Sequence, residues 1–479
     1  PFPATGDIFG AFSINSTEVM YCMWRQTSLA EAAEAIRLGR RRPTELLDSC
    51  LAQIRRHDGA IRAWVLVDEE AARREAERMD VEAAAGRFRG PLHGIPVGIK
   101  DIIDVAGLPT EAGSPLRKGH RAACDAPVVA ALRAAGAIIV GKTVTVEFAC
   151  FDPSPTRNPW DPALRRSPGG SSSGSAAALA MGMCLGALGT QTGGSLVRPA
   201  TYCGIAACKP TYGRVDRTGV VPVSYQFDHV GPMARKVGDL AILLASLPAA
   251  DDFGPPRSAA LPPGADLPVR PRLGLVVDFF TSGADRAVRT VVERAVNKLA
   301  GEADVAEVKP TADFEAIQEV HTIVMAVEAA AYHRDQFAAH RQSYGPMIAG
   351  LLDEGLAVSG VRFADNLALL RDFRRRAPRM LEGCDALVMP ATDTTAPETM
   401  ATTGPKRFQA PWSCSGLPVV SLPCGLAEDG MPVAVQLVGR HHDDERLLRI
   451  AAWCEERLAF AARPALLGES LDSGAGGGR

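Results

Sequence analysis

The chain has 479 residues, 47% of them apolar and 22% charged, and 52 basic against 55 acidic side chains leave a net charge of −3. Near-neutrality excludes a strongly basic nucleic-acid binder and an acidic disordered tail protein, and the apolar content argues against a disordered chain. The length allows two to four domains or one large α/β domain.

Residues 1–25 lack the basic start and apolar block of a secretory signal and read as an irregular N-terminal extension. Ser28 and Glu31 then form a capping box, and Leu29, Ala32, Ala33 and Ile36 carry the helical period. Pro43 opens a second helix with Leu46, Leu47, Leu51 and Ile54 on one face, and a charged helical stretch covers Glu69 to Ala85. Asp125 reads as the cap of a helix from Pro127 to Ala135, and Ala137 to Val140 reads as a buried strand. Gly169 to Ala178 runs straight into an Ala-rich helix followed by a strand-like stretch.

The run Ala176 to Gly189 is shorter than the ~20 residues needed to span a bilayer, so no membrane partner is expected. Residues 250–271 are rich in Pro, Gly and Asp and read as a long surface connection. Leu273 to Val277 reads as a strand and Gln318 to Arg379 as mostly helix, and strands return at Ala386–Met389, Val419–Leu422 and Val433–Val438. Late strands after a helical excursion predict one sheet built from both ends of the chain. Eleven cysteines, scattered and without a CxxC pair, point to reduced buried thiols in a cytoplasmic protein.

Two motifs match by spelling alone. Gly136 to Thr143 fits G-x-x-x-x-G-K-T, but Ala137, Ile138, Ile139 and Val140 read as a strand where a phosphate loop needs flexible backbone. A nucleotide site at Lys142 is therefore the weaker reading. Gly170 to Gly174 fits the G-x-S-x-G nucleophile elbow, yet no strand precedes it and no histidine stands out as its base. His229 reads as structural, and nothing in the sequence argues for a metal.

A different constellation carries chemistry. Gly193 and Gly194 before Ser195 suit a turn whose N–H groups converge on an oxyanion beside a serine nucleophile. Lys100, between apolar residues near a strand end, suits a base with a lowered pKa, although an ion pair with Asp101 is the structural alternative.

These blocks resemble the amidase signature family of serine hydrolases. The resemblance rests on GIPVGIKDIID from Gly94, SPGGSSSGSAAA from Ser167, GTQTGGSLVRPATYCG from Gly189 and DHVGPMAR from Asp228. Further matches are the blocks around Lys142 and Lys209, GLPVVSLPCG, and PVAVQLVGR near the end. It implies a single large α/β/α domain over 26–465, with a mixed, twisted central sheet covered by helices on both faces. Within it fall a helical part (26–90), a catalytic core (91–248), and substrate-side helices and closing strands (272–465), before a flexible tail (466–479).

The resemblance implies Ser195 as nucleophile, Ser171 as a bridging serine after a cis peptide bond, and Lys100 as base, with Thr192, Gly193 and Gly194 in the oxyanion hole. No cofactor is implied. The implied substrate is a small amide, ester or carbamate, the chain acting as a monomer or homodimer without nucleic acid. Many members carry Asp where Gln191 stands; the malonamidase-like subgroup shares TQTGGS with an arginine three residues on, here Arg198.

Arg198 then suits either a substrate-carboxylate anchor or an internal ion pair that braces the nucleophile loop. Gln191 is a further substrate-binding candidate, and Phe148, Cys150, Phe151 and Tyr225 are pocket candidates, as are His321 to Glu328 and Trp412, with core packing the alternative for each of these. The leading expectation is a stand-alone amidase that acts through an acyl-enzyme and prefers neutral amides, anilides, aryl esters or carbamates. The alternatives are the A subunit of a tRNA-dependent amidotransferase and an amidase for acidic half-amides such as malonamate.

Overall fold

In a computed structural model of the protein, residues 27–250 and 270–467 are described. The extension at 1–25, most of the connection at 250–271 and most of the tail at 466–479 lie outside them. Eleven strands form one sheet: β1 (Trp64–Val67), β2 (Ile95–Lys100), β3 (Ala137–Thr143), β4 (Gly186–Gln191), β5 (Ala206–Lys209), β6 (His229–Ala234), β7 (Arg272–Leu275), β8 (Asp304–Glu307), β9 (Ala386–Pro390), β10 (Val419–Leu426) and β11 (Pro432–Val438). Their order is β1-β3-β2-β4-β6-β5-β10-β11-β9-β7-β8, so strands from both ends of the chain share the sheet, as the sequence predicts. It is mixed: β2 runs parallel to β3 and β4, whereas β6 runs antiparallel to β4 and β5.

Strand alternation sends neighbouring residues to opposite faces. Ala137 and Ile139 join one apolar core while Ile138 and Val140 join the other, and Leu188 and Ala187 divide in the same way. Each buried aliphatic side chain contributes about 1.5–3 kcal/mol. One face packs α1 (Leu29–Arg37), and the other packs α2 (Pro43–Ile61) and α3 (Glu69–Ala84). The remaining helices used below are α4 (Pro127–Ala134), α5 (Ser173–Ala180), α6 (Val197–Tyr202), α7 (Val237–Ala245), α8 (Arg286–Ala300), α9 (Phe314–His340), α10 (Pro346–Ala357), α11 (Gly360–Arg376), α12 (Ala410–Ser415) and α13 (Asp444–Leu458). Helices therefore cover both faces of the sheet. Among the described residues no helix is long and apolar enough to cross a membrane.

Several expectations need correction. Asp125 does not cap α4, whose N-cap is Ala126. Its carboxylate instead accepts from the Ala106 N–H at 2.7 Å and from Arg133 Nε at 3.0 Å, so it closes a loop onto the helix. The strand expected at Leu273–Val277 stops at Leu275, because the chain turns at Val277 with Phe279 at φ 71°. Strand β1 has only four residues and escapes a periodicity test. The G-x-x-x-x-G-K-T stretch is strand β3, buried along its length. Gly141 is required there by close approach, since a Cβ would stand 2.1 Å from the Leu66 carbonyl oxygen.

Candidate active site

The parallel pairing of β2 and β4 brings two carboxyl ends side by side, where open α/β sheets gather ligands and chemistry. Lys100 is the last residue of β2, and Thr190 and Gln191 end β4. The chain then turns through Thr192, Gly193, Gly194 and Ser195 into α6. On the other side Ser171 and Ser172 lead into α5, after a cis peptide bond between Gly170 and Ser171. Three separate blocks thus meet here, Lys100 bonding Ser171 and the Ser195 carbonyl accepting from the Ser172 N–H.

Lys100 Nζ lies 2.6 Å from Ser171 Oγ and 2.7 Å from Thr190 Oγ1. Its side chain is fully buried. Burial pushes its pKa down from 10.5 to about 7, with the Asp228 carboxylate pulling the other way. The ion pair weighed for Lys100 belongs to its neighbour: Asp101 lies 3.0 Å from Lys142 Nζ, because successive strand side chains point apart. Lys142 also donates to the Pro109 carbonyl and Thr110 Oγ1, which accounts for the buried lysine without a phosphate.

The two loops are stitched together. The Ser172 N–H donates to the Ser195 carbonyl at 3.3 Å, and Ser172 Oγ bonds both the N–H and the carbonyl of Thr190 at 3.2 Å. Gln191 Oε1 accepts from the N–H groups of Leu196 and Val197, at 3.0 and 3.1 Å, and so satisfies open donors at the start of α6. Gln191 is itself buried, and it reaches the turn through its side chain. Neither Gly193 nor Gly194 has a positive φ. Glycine matters here for approach rather than handedness: at Gly194 a Cβ would stand 2.5 Å from Gln409 Oε1, so that side chain would have to shift.

Arg198 is also buried, and its guanidinium serves backbone carbonyls. Nε and Nη2 reach the Gly170 oxygen at 3.2 and 2.8 Å, and Nη1 donates to the Gly404 oxygen. These bonds tie α6 to the Gly170 and Gly404 loops through carbonyls, where the bracing alternative expects an ion pair. Phe148 and Cys150 are core residues: Phe148 packs edge-on to His333 at 4.5 Å and against Tyr344 at 5.6 Å. Trp412 stacks on Phe280 at 5.5 Å inside the same core. Tyr225 is exposed and lines a cavity of about 250 Å³ that also touches Thr190, Thr192 and Asp228.

Asp228, Ser413 and Lys406 also belong to the site, although the sequence assigns them no role, and His321 figures in it only as part of a pocket helix. Asp228 accepts from Thr192 Oγ1 at 2.6 Å and from the N–H groups of Val223 and Ser224. The motif around Asp228 was the one available signal; the others come from segments that carry no motif.

A family model described as "Amidase" matches residues 45–448. The chain is 36% identical over 441 residues to a putative amidase AmiD of Mycobacterium tuberculosis, covering 88% of this chain and 92% of the other. It is 34% identical over 483 residues to the A subunit of a glutamyl-tRNA(Gln) amidotransferase from an Anaeromyxobacter species, covering 92% and 97%. Its fold matches the structure of native peptide amidase from Stenotrophomonas maltophilia with a TM-score of 0.79 and 30% identity, over 92% and 98% of the two chains.

Proposed function

The chain belongs to the amidase family of amide C–N hydrolases, and from that premise we propose that it works alone, through an acyl-enzyme on Ser195. The observation that carries this reading is a fully buried Lys100 whose Nζ sits 2.6 Å from Ser171 Oγ. A serine hydroxyl is a weak nucleophile until a base takes its proton. Neutral Lys100 accepts the Ser171 proton while Ser171 Oγ takes that of Ser195. Ser195 Oγ attacks the substrate carbonyl carbon, and the oxyanion is met by N–H groups of the turn at Thr192, Gly193 and Gly194. The C–N bond then breaks, and the proton returns through Ser171 to the leaving amine. Water repeats the sequence on the acyl ester, releasing the acid and restoring Ser195.

The substrate carries a neutral acyl or aryl group. Supporting this, the Arg198 guanidinium is occupied by the Gly170 and Gly404 carbonyls, which removes the best candidate for a carboxylate partner. Anilides, aryl esters and aryl carbamates offer the same tetrahedral oxyanion, so all fall within the reach of the site. The test is a panel of neutral aryl amides, aryl carbamates and malonamate with the purified chain. Turnover of the neutral members, abolished in Ser195→Ala, is expected. Activity confined to malonamate would overturn the substrate assignment. Activity only after adding the other components of an amidotransferase would overturn the stand-alone reading.

A further inference from the structure

The oxyanion turn is held from behind by side chains that the proton relay does not use. His321, buried on α9, places Nε2 3.1 Å from the Thr192 carbonyl oxygen. Its other ring nitrogen, Nδ1, lies 2.8 Å from Lys406 Nζ, which also donates to Thr322 Oγ1 at 3.1 Å. An ammonium has only protons to give, so Nδ1 accepts and the neutral ring carries its proton on Nε2, facing the carbonyl. Phe227 stacks on the ring at 4.7 Å and 15°, which fixes its plane. One peptide further on, Ser413 Oγ donates to the Gly193 carbonyl at 3.0 Å while accepting from Gln191 Nε2 at 3.2 Å.

A trans peptide carries its C=O and N–H on opposite edges of one plane. A donor held on the Thr192 oxygen therefore sets the direction of the Gly193 N–H, and a donor on the Gly193 oxygen sets that of Gly194. A bond received at the oxygen also polarises the peptide and strengthens its N–H, by about 10–30% per bond. The turn is packed directly on this support: from the Cβ position of Gly193, Lys406 Cδ is 3.2 Å away and His321 Cε1 3.4 Å.

We propose that His321, oriented by Lys406, and Ser413 are positioning residues that aim and polarise the Gly193 and Gly194 N–H groups at the developing oxyanion. The inference rests on the acyl-enzyme reading above, and its test separates the two. Wild type, His321→Leu, His321→Gln, Ser413→Ala and Lys406→Met are compared by melting temperature, by kcat and KM on a neutral aryl amide, and by the rate at which a fluorophosphonate labels Ser195.

His321→Leu and Ser413→Ala are expected to lose about 10- to 100-fold in kcat, part of the 10²–10³ lost when an oxyanion donor is removed outright. KM should stay within about threefold and labelling should slow in parallel, because the phosphoryl oxygen uses the same donors. Glutamine can offer an N–H where Nε2 stands, so His321→Gln should recover to within about fivefold of wild type, and Lys406→Met should lose less than His321→Leu. If His321→Leu does not fold, Ser413→Ala carries the same comparison. A wild type that the reagent does not label at Ser195 would overturn the acyl-enzyme reading itself. Labelled wild type with folded His321→Leu and Ser413→Ala at wild-type kcat would overturn only the positioning role, as would equal losses in the leucine and glutamine variants.

Discussion

Lys100 supplies the sharpest prediction. A lysine at its ordinary value is about 0.03% neutral at pH 7. With its pKa pushed to about 7 by burial, roughly half of it is neutral there, a gain of about 1,500-fold in the form that can take a proton. The perturbation is pH itself. The kcat/KM for a neutral anilide should rise with unit slope from pH 5, reach half its plateau near pH 7, and level off by about pH 8.5. At pH 5 it should stand at about 1% of the plateau.

Asp228→Asn removes the carboxylate that favours the charged amine, so the midpoint should move to lower pH. Lys209→Met removes another buried lysine pushed to about 7 and should leave the midpoint in place. The same shift has a signed effect on stability. The folded-state pKa lies below the unfolded one, so between about 7 and 10.5 the unfolded chain holds the extra proton. The contribution of Lys100 to stability rises with pH across that window and is at its least favourable below it. Initial rates across pH 5–9.5, with melting temperatures as controls, decide the matter. A profile flat from pH 5 to 8, or one that rises only above pH 9, would refute the neutral-base argument.

Arg198→Met leaves the Gly170 and Gly404 carbonyls without their donor, at about 1–3 kcal/mol each, so it should lower the melting temperature and slow acidic and neutral substrates alike. Selective loss of half-amide hydrolysis at an unchanged melting temperature would restore the carboxylate anchor. Gln191→Leu removes the acceptor for two N–H groups at the start of α6 and should cost about 1–2 kcal/mol by denaturant unfolding, with kcat reduced about tenfold. Ser171→Ala should lose at least ~10³ in kcat, as members of a proton relay act as a unit, whereas Ser172→Ala should stay within about tenfold while losing ~1–3 kcal/mol of stability. The reverse ranking in a single kinetic comparison would return the nucleophile to the G-x-S-x-G motif.

What the sequence made legible follows a physical pattern. Glycine-rich turns and buried strands leave local marks, so Ser195 and Lys100 stood out and the sheet from both chain ends could be anticipated, whereas Ser171 came only with the family resemblance. Long-range partners leave no such mark. Nothing near Lys142 says that it pairs with Asp101 across β2 and β3, and nothing near Arg198 says that its targets are the carbonyls of Gly170 and Gly404. Asp125 has the chemistry of a cap, but tertiary demand from Ala106 and Arg133 takes its carboxylate. Phe148 and Cys150 were pocket candidates through the family resemblance alone, with core packing as the alternative; the Phe148 ring packs against His333 and Tyr344, partners that no local pattern announces. His321, Lys406 and Ser413 converge on the turn from α9, a loop and α12, and only the fold relates them.

The central claim is that Ser195 becomes covalently acylated with Lys100 and Ser171 relaying its proton. The direct measurement is intact-protein and peptide mass spectrometry of enzyme quenched within milliseconds of mixing with an aryl ester. The account predicts one acyl group per chain on the peptide containing Ser195, formed slowly in Ser171→Ala and Lys100→Met and absent in Ser195→Ala. An acyl group on Ser171 or Ser172, or rapid turnover persisting in Ser195→Ala, would contradict it.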